Sequence, residues 1–580
     1  MTVSNTNDSF SLADSAREFS KSKRWFRDAS GRYLLFRGVN FGSRSKMPPY
    51  LPIAPLNVTH IDKFDLEKEI ESVRDKIGLL KYLGFNIVRL LIIWKAIEPY
   101  PNDNLEELLP EGKKYLSVVH KIIDLLYEHG LYVILDFHQD IAHEIFGGDG
   151  FPDWALALDG KYKNPKPATM RDKKWQIAYM TNKLQRHTLE SFWNNDLTNR
   201  EADLYHYPVR THLEKTIGQT VKFFKGLNNE QGHPAILGIE PFNEPHPAGI
   251  DKDLFEKEIL YQYYMNVNSE IRKHDDRLFL FIEPRVDWTV STNEDKKSAF
   301  GGPVKLKNLF NINFIRDVMV EGKMNPKTIR SYLPTVPHSL SSITQRGVFS
   351  FHYYDTMAIA GSFLKVPENL YKIKREWPHI FSQLTEAAVE RDLVPFLTEF
   401  GGLQESEQIR EYLDLNFMQI ESFLINSTYW NYDLYNTEEG KDNWNLENYS
   451  ILGPNRVPRN IDVIARPYPM RSSAEPKFLF FDIKTKYAVI ILEGTVEAPK
   501  HPTVIHIPFN IQYSPELYVW ATSDEIEWDK QNQILYWYPN KDSATNAMIL
   551  GKDRRMDRDA LPKMAKEVVD KYSLFALEFS

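Results

Sequence analysis

The sequence predicts an α/β fold: a (β/α)8 TIM barrel with a C-terminal all-β sandwich domain. Three observations carry this. Eight short segments rich in β-branched and aromatic residues recur between residues 34 and 433, several of them almost continuously apolar, as strands buried on both faces are. Stretches of helical period lie between them, which implies parallel strands joined by helices. After Arg466-Pro467-Tyr468-Pro469 the helical period gives way to short alternating runs. A chain of 580 residues has room for about four domains by size alone, but a barrel with insertions can pass about 400 residues as one unit.

The first strand is LLFRGVNF (34–41). In the helix that follows, over 64–84, Phe64, Leu66, Ile70, Val73, Ile77, Leu80 and Leu83 keep three-to-four spacing, and Gly84 ends it. NIVRLLIIW (86–94) is the second strand. Leu116, Val119, Ile123 and Leu126 mark a helix over 112–130 that stops at Gly130. YVILDFH (132–138) is the third strand. A long insertion over about 139–235, holding GGDGFPDWAL and an aromatic-rich helical stretch, separates it from the fourth, ILGIEPFNEP (236–245). LFLFIEP (278–284), GVFSFHYYD (347–355), VPFLTEFG (394–401) and STYWNYD (427–433) complete the eight. Loops that follow strands form the functional face of such a barrel, so the insertion is expected to shape the substrate entrance. FLFFDI, YAVIILEG, TVIHIPF, LYVWATS and ILYWYP then predict the sandwich, with a short helix near 560–572. The expected organisation is an N-terminal tail over 1–24, the barrel over 25–465 and the sandwich over 466–580.

Composition excludes several classes. There is no cysteine, hence no disulfide, no thiolate zinc site and no cysteine nucleophile. Lys plus Arg is 71 against 79 Asp plus Glu, a net of −8, and no long basic run offers a phosphate footprint, so no nucleic acid partner is expected. No apolar stretch reaches the ~20 residues that span a bilayer. The N-terminus lacks the apolar core of a secretory signal, which makes the cytoplasm the expected compartment. The oligomeric state is not legible.

Polar and aromatic residues collect at the C-terminal ends of the predicted strands: Asn40, Arg89, Trp94, Asp136, His138, Asp140, Asn243, Glu244, Glu283, His352, Tyr354, Glu399 and Trp430. Active sites of barrels form at that end. Two carboxylates stand out, Glu244 in Asn-Glu-Pro and Glu399 in Thr-Glu-Phe-Gly. A pair of acids flanking a glycosidic bond is sufficient for its hydrolysis, one protonating the leaving oxygen while the other attacks the anomeric carbon. Their surroundings must separate their pKa values. His352 and Tyr354 alternate with Tyr353, so both face the barrel and can donate to Glu399, and Arg89 can pair with its charge. Asp140 and His138 suit sugar hydroxyls. The spacing of His138 and His143 is not diagnostic of a metal, and neither metal nor cofactor is expected.

RGVNFGSRSK, DFHQD, NEP, HYY and TEFGG together resemble glycoside hydrolase family 5, and within it the endoglycoceramidases and the related intracellular glucosylceramidases and steryl β-glucosidases. The resemblance runs from about Trp25 through the C-terminal β domain, and DFHQD with GGDGFPDWAL is its most specific part. It implies that Glu244 is the acid/base and Glu399 the nucleophile of a retaining double displacement. It implies that Asn243 contacts the sugar 2-hydroxyl and that Arg89, His138, Asp140, His352, Tyr354 and Trp430 line the glucose subsite. Lys46 aligns with a sugar-contacting lysine, and Trp154 faces either the aglycone or the packed interior. The expected activity is removal of glucose from glucosylceramide or a steryl glucoside. The rivals are an endoglycoceramidase, an endo-β-glucanase and a non-catalytic glycolipid-binding barrel. The expected partner is a glycolipid, and the sandwich either touches membrane or lipid aggregates or buttresses the barrel.

Overall fold

The computed structural model describes residues 14–162, 182–195, 207–286, 343, 345–355 and 370–552. Three short strands come first: β1 (Ser20–Ser22), β2 (Trp25–Arg27) and β3 (Tyr33–Leu34). The barrel strands are β4 (Arg37–Phe41), β5 (Ile87–Ile92), β6 (Tyr132–Phe137), β7 (Ile236–Glu240), β8 (Phe279–Ile282), β9 (Gly347–His352), β10 (Val394–Phe400) and β11 (Asn426–Tyr432). They close in the order β10-β11-β4-β5-β6-β7-β8-β9, and every neighbouring pair is parallel. The sequence places all eight. It overruns the fourth, to 245 against Glu240, because Phe242 beyond the strand end is itself buried and extends the apolar texture.

Alternation along the strands sorts the barrel into layers. On β9, Phe349 and Phe351 pack outward under the helices, while Val348, Ser350 and His352 take the inner positions. The same pleat puts Ile87 and Arg89 of β5, and Ile134 and Asp136 of β6, inside. The floor is apolar, with Ile87, Ile134, Phe281, Val348 and Phe396 sealed below by Phe19, Phe26 and Phe36. Above it the lining turns charged. The helix Leu66–Tyr82 is representative of the outer ring. Asp65 caps it by accepting the Lys68 N–H, and Val73, Ile77 and Leu80 bury its inner face. It ends at Gly84, whose φ of 90° suits a left-handed C-terminal turn. A Cβ there would lie 2.3 Å from the His506 ring, so a second constraint also requires glycine.

The C-terminal strands are β12 (Tyr468–Ser472), β13 (Glu475–Asp482), β14 (Tyr487–Glu493), β15 (Thr503–His506), β16 (Tyr518–Ala521), β17 (Ile526–Asp529), β18 (Ile534–Trp537) and β19 (Thr545–Gly551). They form a four-stranded sheet, β13-β14-β19-β16, and a seven-stranded sheet, β1-β2-β3-β12-β15-β18-β17. Residues 20–34 thus belong to the sandwich, which corrects the expected boundary at residue 25. Trp25, Tyr33 and Leu35 share its core with Leu479, Phe481, Ile490 and Trp537. Nor is the stretch up to residue 24 wholly a tail. Phe19 is buried, and the Ala16 N–H donates to the Pro234 carbonyl at 2.8 Å. A pairing such as Leu34 with Arg471 joins opposite ends of the chain, and no local pattern records it. Residues 1–13, two parts of the long insertion (163–181 and 196–206) and the expected helix near 560–572 lie outside the described residues. The described part of the insertion contains the helices Lys183–Asn194 and Val209–Lys225. No helix among the described residues is long and apolar enough to cross a membrane.

Candidate active site

Arg89 organises the middle of the barrel. It is fully buried on β5 and reaches four elements. Its Nε donates to Glu240, Nη1 to Asn40 Oδ1 at 2.9 Å and to Glu399 Oε1 at 2.7 Å, and Nη2 to Asn243 Oδ1 at 2.8 Å. Asp136 Oδ1 lies 3.1 Å from Nη2. Burial opposes its charge, but Asp136, Glu240, Glu399 and Glu283 together hold it well above the usual arginine value. Ser350 donates to Glu240 from the facing strand.

Glu399 ends β10, where a register shift turns it into the mouth. One oxygen takes the Arg89 bond, and the other accepts from the Tyr354 hydroxyl at 3.0 Å. Glu244 sits just past β7 with a φ of 47°, a left-handed conformation that costs a non-glycine residue about 1–2 kcal/mol. Its N–H donates to Glu283 Oε2 at 2.8 Å, and the Gln139 amide donates to the preceding carbonyl at 2.7 Å. These bonds fix the turn. Glu244 Oε1 lies 3.1 Å from His352 Nδ1, which is 3.6 Å from Glu399 Oε2. His352 is therefore held first by Glu244 and not, as the strand alternation suggested, by Glu399. Oxygens of the two glutamates and the His352 nitrogen lie within 4.8 Å of one another. Tyr353 turns the other way and packs on Trp377 and Phe381.

The two carboxyls differ electrostatically. Burial raises both. For Glu399 the Arg89 guanidinium works against burial. For Glu244 the Glu399 and Asp140 charges add to it and push the carboxyl well above its usual range. Glu399 is accordingly the one that ionises first and Glu244 the one that keeps its proton. Burial, then the Arg89, His138 and Lys46 cations, pushes His352 well below the usual imidazole value, so it is neutral.

A second group forms one wall of the mouth. His138 Nδ1 meets Asp136 at 2.6 Å, and its ring stacks on Trp430 with centroids 5.6 Å apart. Burial would lower its pKa, but Asp136 raises it to about 10. Lys46 pairs with Asp140 and lies 4.3 Å from the Trp430 ring centre. Asn243 spends its amide on Gln139 O at 3.0 Å and its oxygen on Arg89. These contacts link ten of the eleven expected site residues into one network. Trp154 is the exception. Its indole N–H donates to Glu98 O at 3.0 Å, and its ring packs on Trp94 and His212 at 5.3 and 4.8 Å, which places it in the packed interior rather than with the two glutamates. His143 bonds Asp153 instead, at 2.7 Å.

Several residues of the site were not named from sequence. Glu240 hides as the one acid inside the run ILGIE. Asp149 lies within the quoted GGDGFPDWAL and is fully buried. Burial and the Asp140 charge hold it well above its usual range. Trp444, 3.8 Å from Lys46, and Glu447 follow β11, and only their place after the last barrel strand could have flagged them.

Residues 54–436 match the family model described as Cellulase (glycosyl hydrolase family 5). The chain belongs to that family and is a glycoside hydrolase. It is 24% identical over 462 residues to endoglycoceramidase I of Rhodococcus hoagii, a match covering 78% of this chain and 73% of that protein. It is 27% identical over 262 residues to a glucosylceramidase of Rhizopus delemar, covering 40% of this chain but only 36% of that one. Its fold is like that of Cryptococcus neoformans sterylglucosidase 1, with a TM-score of 0.67 at 15% identity, covering 93% and 97% of the two chains.

Proposed function

We propose that this chain is a retaining β-glucosidase that hydrolyses the glucosidic bond of a glycolipid, either a glucosylceramide or a steryl glucoside. The observation that carries the reading is the pair Glu244 and Glu399, whose oxygens approach within 4.8 Å but whose partners differ. Retaining enzymes keep their two carboxyls about 5–5.5 Å apart, whereas inverting ones leave about 6.5–9.5 Å for a water. Glu399, ionised by Arg89 and Tyr354, attacks C1 and forms a glycosyl ester. Glu244 gives its proton to the leaving oxygen as the C1–O bond breaks and the lipid alcohol departs. Glu244 then takes a proton from water, the water oxygen attacks C1, and the ester bond breaks to release glucose and restore Glu399. Asn243 lies beside Glu244 and Arg89, in reach of the sugar 2-hydroxyl. Stacked rings around Lys46 and His138 supply a platform for the sugar. The lipid aglycone is supported by the names of the relatives, an endoglycoceramidase, a glucosylceramidase and a sterylglucosidase.

The test is a substrate panel: glucosylceramide, a steryl glucoside, lactosylceramide and a cello-oligosaccharide, with the released sugar identified and Glu399→Gln as the blank. Glucose from the first two is expected. Lactose from lactosylceramide would replace this reading with an endoglycoceramidase, and cleavage of the cello-oligosaccharide alone would remove the lipid. Activity that survives undiminished in Glu399→Gln overturns the mechanism.

A further inference from the structure

The loop after β11 carries an acid that the double displacement does not use. Trp444 of this loop is buried with its ring centre 3.8 Å from the Lys46 ammonium. Further along, Tyr449 packs edge-on against Tyr354, the residue that donates to Glu399, with centroids 6.0 Å apart. Between these anchors the Asn445 amide donates to Gly147 O at 2.8 Å and ties the loop to the one after β6. Glu447 lies within this tethered span. Its N–H donates to Trp444 O at 3.0 Å, and its carbonyl accepts from the Asp442 N–H at 2.8 Å. The backbone is thus fixed from both sides.

The side chain is not. Asp140 is spent on Lys46, Glu240 on Arg89 and Ser350, Glu283 on the Glu244 N–H, and Glu399 on Arg89 and Tyr354. The Glu447 carboxylate has no hydrogen bond or ion pair among the described residues. It is half-buried, in a span whose two ends rest on Lys46 and Tyr354 of the site, and the Lys46, Asp140, Asp442 and Glu399 charges act on it. Burial raises it to about 8, so near neutral pH it can either accept or donate a hydrogen bond. Desolvating a carboxyl without a partner is costly unless a ligand supplies one.

The barrel order says which part of a sugar it would meet. The anomeric carbon must lie between Glu244, after β7, and Glu399, on β10. Lys46, Asp140 and Glu447 come from the loops after β4, β6 and β11, the arc of the barrel that runs β11-β4-β5-β6. We propose that Glu447 is a specificity-determining residue that hydrogen-bonds a hydroxyl of the bound hexose remote from the anomeric carbon, at position 3, 4 or 6. The assignment rests on the glucosidase reading and adds to it the group that recognises the far side of the ring.

The experiment compares kcat/KM of the wild type, Glu447→Ala and Glu447→Gln on an aryl β-glucoside and on its 3-, 4- and 6-deoxy counterparts. Glu447→Ala is expected to lose about 10- to 100-fold on the parent and nothing further on the one substrate that lacks the bound hydroxyl. Glu447→Gln, which keeps an acceptor and a donor, loses less. An equal loss on the parent and on every deoxy substrate overturns the proposal, as does no loss on the parent. If the wild type releases nothing from the parent, the glucosidase reading fails, and the contact is read from calorimetric binding of a glucose-configured iminosugar and its deoxy forms. The same pattern is then required, and absence of binding to the wild type overturns the contact as well.

Discussion

Tyr354 donates to Glu399 at 3.0 Å, and a hydrogen bond to a carboxylate favours its charged form. Removing that donor in Tyr354→Phe raises the Glu399 pKa. The acid limb of kcat/KM, which reports ionisation of the nucleophile in the free enzyme, should therefore move to higher pH while the basic limb stays. A profile with an unmoved acid limb, or one displaced to lower pH, would refute the assignment. Glu244 answers to a different test. A good leaving group needs no proton, so Glu244→Gln should cut turnover of a lipid glucoside by at least about 10²-fold but spare the first step on a dinitrophenyl glucoside. The stalled protein should then be one hexosyl unit heavier by intact mass. Equal losses on both substrates would argue against an acid role.

At the scale of elements, two glycines set how closely barrel strands approach. A Cβ on Gly38 of β4 would lie 1.9 Å from the Ile87 carbonyl oxygen, and one on Gly238 of β7 would lie 2.3 Å from that of Phe279. Gly238→Ala should force β7 away from β8 at a cost of about 1–3 kcal/mol or more, read as a lower denaturant midpoint. It should also lower kcat, because β7 carries Glu240 and leads directly to Glu244. A variant with unchanged midpoint would mean that the two strands tolerate the methyl group. The barrel strands were legible because burial on both faces leaves continuous apolar runs, and the two glutamates because a strand end exposes an acid beside aromatics. Glu240 was not, since an acid paired through Arg89 and Ser350 of other strands has no local mark. β1 to β3 carry little signal because each is only two or three residues long, and the pairing that ties them to the sandwich, β3 with β12, reaches into the last quarter of the chain. For Trp154 the motif leaves both the aglycone and the packed interior open, and its contacts with Trp94 and Glu98 of one short helix and with His212 of a longer one come from elsewhere in the chain.

At the scale of the whole molecule, the barrel and the sandwich are joined by a buried ion cluster. Arg466 binds Glu421 through Nε at 2.7 Å and Nη2 at 2.9 Å, Asp414 through Nη1 at 2.7 Å, and the Phe481 carbonyl of β13 at 2.7 Å. Glu421 and Asp414 lie on the helix Ile409–Ser422, directly after the strand that carries Glu399. Arg37, at the start of the first barrel strand, also reaches Glu421, at 3.3 Å. The Tyr468 hydroxyl adds a bond to Gly84 O at 2.7 Å, and β1 to β3 thread the N-terminal segment into the sandwich sheet. Neither half has a surface on this side that is finished without the other, so the two should unfold as one unit. Replacing Arg466 by Met takes the cation from Asp414 and leaves Glu421 with Arg37 alone, and breaking a buried pair from one side costs about 3–5 kcal/mol. Thermal unfolding of Arg466→Met, followed in parallel by near-UV dichroism and residual hydrolysis, should show one transition at lower temperature in both signals. Adding Asp414→Asn should restore part of the loss, because the carboxylate that Arg466 had paired is then uncharged, while Glu421 keeps Arg37. Two separate transitions, with hydrolysis outlasting the first, would instead mean that the barrel stands without its sandwich and that the cluster only tethers them.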